Sequence, residues 1–150
     1  TVDALQAKGL AADFQTVDIR ERARIEAAWQ GLSERHPHVD LLVNSAGGQF
    51  PQAALDYSER GWLTVINTNL NGTWFMMQQA ALRWRESGRG GAIVNVVVVP
   101  QGLYGVAHTC AARAGVIALS QSLAVEWAPL GVRVNCVAPE VFLRTKKPSP

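Results

Sequence analysis

Cysteine and histidine are scarce in this sequence, which contains two cysteines and three histidines among 150 residues. Cys110 and Cys136 form no Cys-x-x-Cys pair, and the histidines are not clustered. These spacings predict neither a disulfide framework nor a metal site. We interpret both cysteines as small core residues of a protein kept in a reducing compartment.

Charge of either sign is also sparse. Charged residues make up 17% of the chain, the net charge is only +2, and the one basic pair, Lys146-Lys147, precedes Pro-Ser-Pro in what reads as a solvated tail. A charge this small predicts neither nucleic-acid binding nor attachment to a membrane surface. The longest apolar run is far too short to span a bilayer.

We find no signal peptide, and we predict a cytoplasmic location. The ending Pro148–Pro150 does not match a peroxisomal Ser-Lys-Leu address. The chain opens at Thr1 without Met, on what reads as a helix in progress, which favours a natural start further upstream.

The sequence does contain one strong pattern, centred on a β-branched apolar run at 92–99. A run of this kind is typical of a strand buried on both faces in a parallel sheet. A turn follows at 100–102, helical spacing extends over 109–128, and a second strand is predicted at 132–137. Strand, helix and strand in this order predict one right-handed βαβ crossover.

The rest of the chain alternates in the same way. Helical patterns cover 1–8, 20–35 and 58–86, and strand patterns cover 12–19 and 39–44. The sequence contains no repeat and no linker. We therefore predict one α/β domain over residues 1–150, with about four strands in a mainly parallel sheet.

Several residues at predicted strand and helix positions are candidates for function. Gly47 and Gly48 follow a strand and leave room for a ligand against the backbone, although a simple turn explains them too. Asp18 ends another strand and could contact a ligand, or be a solvated residue or helix cap. Asn69 lies in mid-helix, where Asn is unfavourable, so a functional role competes with local capping.

Four stretches, in order, carry a resemblance to a known family: 42–47 (LVNSAG), 65–73 (VINTNLNGT), 91–98 (GAIVNVVV) and 120–139. The chain resembles the short-chain dehydrogenase/reductases. The resemblance implies a Rossmann-type fold, a nicotinamide dinucleotide cofactor (NADP or NAD), and pairing of the helices 59–86 and 109–128 in a homodimer or homotetramer.

The resemblance also assigns roles to residues. Asn69 matches the family's catalytic Asn. The implied cofactor contacts are Asp18, Ile19, Asn44, Ser45, Ala46, Gly47, Arg113, Pro139 and Val141.

The family's acid–base residues are replaced. The Tyr and Lys of the active helix fall on Thr109 and Arg113, and the catalytic Ser falls on Val97 or Val98. Thr has no phenolic hydroxyl to donate a proton near neutral pH, whereas Arg can supply a fixed positive charge and bind a ribose or phosphate. Tyr104 and His108 are the alternative candidates for the proton donor. A surface aromatic residue and a hydrogen-bonded loop histidine are the competing interpretations.

Within the family, residues 44–50 (NSAGGQF), 61–62 and 108–116 (HTCAARAGV) are most similar to peroxisomal trans-2-enoyl-CoA reductases. Those enzymes reduce the α,β double bond of fatty acyl-CoA with NADPH, and they depart from the family at the same two helix positions. The similarity implies an enoyl-CoA substrate and leaves a peroxisomal location open.

Parts of the family pattern have no counterpart in the chain. The glycine-rich first βαβ unit and the C-terminal strand and lid are missing, and Glu140 stands where relatives have Gly. We therefore expect an incomplete Rossmann-type domain in which the strands at 12–19 and 39–44 pair directly, or the second is left as an edge. An alternative to an enzyme is a non-catalytic homologue that acts only as an oligomerisation module.

Overall fold

One parallel sheet of three strands organises the computed structural model, which describes residues 2–99 and 103–139. The strands are β1 (Leu41–Asn44), β2 (Gly91–Val96) and β3 (Val132–Val137), in the order β1-β2-β3. Both neighbouring pairs are parallel, with Ile93 opposite Leu42 in β1 and Val134 in β3. The predicted parallel βαβ crossover is therefore confirmed, as is the α/β class.

Helices connect and flank these strands. They are α1 (Val2–Gln6), α2 (Arg22–Arg35), α3 (Glu59–Ile66), α4 (Gly72–Ser87) and α5 (Ala107–Glu126). Ser58 begins α3 as its N-cap, because its hydroxyl accepts a hydrogen bond from the Gly61 N–H at 3.0 Å. Gly88 ends α4 in the left-handed conformation, with φ of 67°, that glycine adopts without strain.

The helix predicted over 58–86 is interrupted at its centre. A π-helical turn, Asn67–Asn71, separates α3 from α4. Such turns add one residue to the helical repeat and are frequent at functional sites. Asn69, buried with 1% of its surface exposed, lies in this turn.

The helices cover one face of the sheet. Leu42 and Asn44 of β1 are buried, whereas Leu41 and Val43 are each 53% exposed, and β3 shows the same alternation. Right-handed crossovers that advance in one direction put their helices on the same face. The core lies between this face and the helices, and it includes Ile25, Trp29, Leu42, Met77, Ala80, Trp84, Ile93, Leu123, Trp127 and Val132.

The predicted strand at 12–19 is wrong. The segment has no regular structure, and the side chain of Phe14 is 80% exposed. An alternating pattern forms a strand only when a neighbour completes its hydrogen bonds, and no strand among the described residues lies beside it. Val17 and Ile19 still pack against the core, and β1 is left as an edge strand, the second of the two expected arrangements.

The described residues contain no helix that is both long and apolar enough to cross a membrane. Within the same residues, no group of three His, Cys, Asp or Glu side chains is placed to hold a metal ion. Both cysteines are free thiols.

Candidate active site

The turn after β1 forms one wall of the candidate site. It runs from Ser45 to Gly48, at the carboxyl end of β1, where ligands bind in open α/β sheets. The side chain of Asn69 holds this turn: its Oδ1 accepts the Gly48 N–H and its Nδ2 donates to the Gly48 carbonyl, both at 2.9 Å. The π-helical turn therefore fixes the strand-end turn through one buried amide.

Arg113, on α5, joins the ends of two strands. Its guanidinium donates to the Val96 carbonyl at the end of β2 (3.1 Å) and to the Ala46 carbonyl after β1 (3.4 Å). Burial lowers the pKa of this guanidinium, because desolvation disfavours its charged form. An arginine still remains charged at neutral pH, so the site carries a fixed positive charge.

The two glycines of the turn differ in their surroundings. A Cβ on Gly47 would collide with the Arg113 guanidinium and come within 2.9 Å of Asn69 Oδ1, whereas a Cβ on Gly48 would meet nothing within 4 Å. A side chain at position 47 would thus displace the protein's own arginine and asparagine side chains, whether or not a ligand is bound. The backbone of Gly48 does lie next to open space.

A buried chain of polar side chains supports the site from beneath. Asn44 Nδ2 donates to Asn95 Oδ1 at 2.8 Å, and Asn95 Nδ2 donates to Ser120 Oγ at 2.9 Å, while Ser120 donates to the Val116 carbonyl. Asn95 is completely buried. The chain links β1, β2 and α5, and it orients Asn44 into the interior, beneath the turn rather than toward its open surface.

These elements enclose a cleft of about 360 Å³. Its lining residues are Ser45, Gly47, Gly48, Gln49, Asn69, Val96, Val97, Val98, Leu103, Thr109, Cys110 and Arg113. Thr109 and Arg113 lie one helical turn apart on α5. The Thr109 Oγ1 is buried and has no hydrogen-bond partner among the described residues.

The two alternative proton donors lie elsewhere. Tyr104 is 90% exposed, and neither Tyr104 nor His108 lines the cleft. His108 is fully buried between aromatic rings: it stacks on Tyr57 and meets Phe50 edge-on, each at 4.6 Å between centroids. Its Nδ1 accepts the Thr109 N–H at 2.8 Å, so the imidazole helps to fix the start of α5.

Asp18 and Ile19 also lie outside the residues that line the cleft. The Asp18 carboxylate accepts hydrogen bonds from the side chain and the main-chain N–H of Arg20, and these hold the pKa of Asp18 well below its usual range. Ile19 packs against Gly72 at the start of α4, where a Cβ would come within 2.8 Å of its side chain.

At the end of β3, Pro139 is exposed and does not line the cleft. Val141 lies outside the described residues, as does Glu140. The carboxyl ends of β2 and β3 remain joined, because the Val97 N–H donates to the Val137 carbonyl at 2.9 Å.

Sequence reasoning missed four of the lining side chains: Gln49, Val96, Leu103 and Cys110. Cys110 follows a predicted site residue directly, so its position was a usable signal. Leu103 and Gln49 lie in loops, and nothing in their spacing distinguishes them. Asn95 was visible as the single polar residue in an apolar strand, but its role in supporting Asn44 depends on partners far apart in sequence.

A family model described as "short chain dehydrogenase" matches residues 1–147. The chain is 34% identical to a 3-oxoacyl-[acyl-carrier-protein] reductase of Chlamydia pneumoniae and 36% identical to a "Probable 2,4-dienoyl-CoA reductase" of Bacillus subtilis. Each alignment covers 92% of this chain, and they cover 56% and 55% of those relatives. The chain thus spans about half the length of the curated relatives that it matches.

Solved structures give the same assignment. A short chain dehydrogenase from Mycobacterium smegmatis superimposes with a TM-score of 0.88 at 30% identity, over 92% of this chain and 59% of that one. A structure titled "ElxO with NADP Bound" matches with a TM-score of 0.79 at 27% identity, over 85% of this chain and 52% of that one.

Proposed function

Because the chain belongs to the short-chain dehydrogenase family, we propose that its cleft is the active site of a nicotinamide-dependent oxidoreductase. The observation that carries the proposal is the convergence of the Ser45–Gly48 turn, Asn69 and Arg113 on one cleft at the carboxyl ends of β1 and β2. The proposed activity refers to the whole protein, since the relatives are about twice as long.

The residues at the cleft fit the nicotinamide–ribose end of the cofactor. Open space over the Gly48 backbone admits a flat ring, and the guanidinium of Arg113 has N–H groups left after its two carbonyl contacts. We propose Ser45, Gly48 and Arg113 as its contacts, with Asn44, Ala46 and Gly47 supporting them. When bound, the cofactor supplies or accepts a hydride.

Fewer observations support the proposed contacts to the other half of the cofactor. No glycine-rich phosphate loop occurs between residues 2 and 99 or 103 and 139. We keep Asp18, Ile19, Pro139 and Val141 as proposed contacts on the family resemblance alone. The same resemblance favours NADP over NAD.

We propose 2-enoyl-CoA reduction as the specific reaction. It requires hydride delivery to Cβ, a proton at Cα and stabilisation of negative charge on the thioester oxygen. Arg113 offers fixed positive charge for that oxygen, and Thr109 offers a hydroxyl that has no hydrogen-bond partner among residues 2–99 and 103–139. Val97 and Val98 provide no hydroxyl for a ketone oxygen, and one relative is named a dienoyl-CoA reductase.

Asn69 is a positioning residue in this scheme, because both the oxygen and the nitrogen of its side-chain amide form hydrogen bonds with Gly48. Tyr104 and His108 stay predictions as proton donors. Neither of them lines the cleft, and the Thr109 hydroxyl, which does, serves in this scheme as a hydrogen-bond donor to the thioester oxygen rather than as the acid.

The test is NADPH oxidation with crotonyl-CoA and, separately, acetoacetyl-CoA. We expect turnover of the enoyl thioester, and a loss of about 100-fold in Arg113→Met, since the charge facing the oxygen is removed. Arg133→Met, on the exposed side of β3, is the matched control. Faster reaction with acetoacetyl-CoA would reassign the substrate to a ketone.

A second candidate function is an oligomerisation module without catalysis. It is favoured by the way Arg113 fills the space beside Gly47, and by exposed apolar side chains on the long helices, Leu63 at 41% and Val125 at 78%. Titration of NADPH against tryptophan fluorescence separates the two functions. The absence of a saturable change up to millimolar NADPH supports the module.

A homodimer or homotetramer through the helices 59–86 and 109–128 is proposed for either function, and light scattering tests it. The cytoplasmic location stays a prediction. The named relatives are bacterial and give no support to a peroxisomal location.

A further inference from the structure

The positive charge of Arg113 is not neutralised by any acidic side chain of the described residues. The ion pairs formed in this part of the chain use other cations, and within it the hydrogen bonds of the guanidinium go to the Val96 and Ala46 carbonyls. A half-buried charge without a counter-ion raises the free energy of the folded protein, because the dipoles of the two carbonyls replace only part of the hydration that the charge loses. A bound anion would remove that cost.

The cleft beside this charge is apolar on one side. Val97, Val98 and Leu103 line it, and Arg113 is the one charged residue in the described lining. Thr109, 6% exposed and one turn from Arg113, brings a hydroxyl oxygen to which no described residue forms a hydrogen bond. One cation, one free hydroxyl and a hydrocarbon wall suit a ligand with a single anionic head and a short apolar chain.

We propose that the cleft binds a small aliphatic carboxylate, with the carboxylate on Arg113 and Thr109 and the hydrocarbon chain on Val97, Val98 and Leu103. Arginine matches a carboxylate through paired N–H donors. A phosphate, with more charge and more acceptor oxygens, would leave oxygens without donors against the apolar wall. The inference rests on the proposed function only in taking the part of the cleft beside Val97, Val98 and Leu103 as the substrate site, next to the part proposed for the cofactor, with Arg113 lining both. There a carboxylate carries charge as an enolate oxygen would.

The test compares butyrate with butyramide, which share a shape and differ in charge. Binding is followed by thermal unfolding and by saturation-transfer NMR, at ionic strength balanced with sodium chloride. We expect butyrate to bind about tenfold more tightly than butyramide, since the extra free energy of a charge-assisted hydrogen bond over a neutral one corresponds to roughly that factor in affinity. Equal binding of the two compounds in the wild-type protein would overturn the inference.

Substitutions locate the charge. Arg113→Gln should abolish the preference for butyrate, and Arg113→Lys should retain part of it, because a lysine keeps the charge and loses the planar fork. Arg133→Gln removes one positive charge from the exposed side of β3 and should leave the preference intact. Should Arg113→Gln fail to fold, Thr109→Val keeps the side-chain shape and should still weaken butyrate binding.

Retention of the preference in Arg113→Gln, or displacement of butyrate by inorganic phosphate at lower concentration, would refute the carboxylate assignment. The butyrate experiment and the reductase assay can fail independently of each other. Butyrate binding without NADPH-dependent turnover defeats the proposed function alone, and turnover without a butyrate preference defeats this inference alone.

Discussion

Replacing Asn69 by alanine tests the contact on which the site geometry depends. The side chain is 1% exposed and makes two hydrogen bonds of 2.9 Å to the Gly48 main chain. Each such bond contributes about 0.5–1.5 kcal/mol net, and Gly48 itself is exposed, so its N–H and carbonyl regain water. We therefore expect Asn69→Ala to lower the free energy of unfolding by about 1–2 kcal/mol.

A neighbouring asparagine provides the control. The Asn71 amide donates to Asn67 Oδ1 at 2.8 Å, within the same π-helical turn, and does not contact the Ser45–Gly48 turn. Both substitutions gain the same helix propensity, which cancels in the comparison. Asn71→Ala should cost only about 0.2–0.5 kcal/mol, as expected for a partly buried side-chain pair four residues apart on one helix.

The assay is thermal unfolding, combined with amide hydrogen exchange. For a chain of this length, a loss of 1–2 kcal/mol lowers Tm by roughly 2–8 °C. The Gly48 N–H should exchange faster in Asn69→Ala and at the wild-type rate in Asn71→Ala, because only Asn69 accepts its hydrogen bond. Equal Tm values for the two variants, with Gly48 exchange unchanged, would refute the role assigned to the two Asn69–Gly48 hydrogen bonds.

Three other substitutions follow from the same geometry. Gly47→Ala should displace Arg113 and lower NADPH affinity about tenfold or more by losing the charged contact, and an unchanged affinity in NADPH titration would contradict that displacement. Asn95→Ala should destabilise the fold by about 2–4 kcal/mol in urea unfolding, because it leaves buried polar partners unpaired, and a loss below 1 kcal/mol would contradict that role. Tyr104→Phe should leave enoyl-CoA turnover unchanged, since this side chain is exposed outside the cleft lining, and a clear loss of turnover would restore it as a proton donor.

The sequence predicted the sheet well where the local hydrophobic pattern and the packing of the folded protein favour the same structure. The β-branched run at 92–99 strongly favours a buried strand, and the helical spacing after it favours a helix. The crossover at 91–137 is therefore as expected. The alternating segment at 12–19 shows the limit of the method. Alternation reports which face of a strand would be buried, and it carries no information on whether a neighbouring strand is present to receive its hydrogen bonds.

The candidate site was predictable in part, for a related reason. Gly47 and Asn69 stand out because their residue types are unusual for their positions, whereas Thr109 and Arg113 are identified only through the family resemblance; all four line the cleft. His108 looked equally plausible. Its orientation is set by stacking on Tyr57, about fifty residues earlier in the chain, and no local pattern encodes that contact.

The extra residue in the Asn67–Asn71 turn also fixes the rotational phase between α3 and α4. Each residue of an α-helix advances the direction of its side chains by about 100°. Deleting one residue of this turn would give an uninterrupted helix, but it would rotate Val65 and the rest of α3 relative to the core side chains of α4. A continuous helix could thus point either the Asn69 amide toward Gly48 or the apolar side chains of α4 toward the sheet. The wider π-helical turn allows both orientations at once.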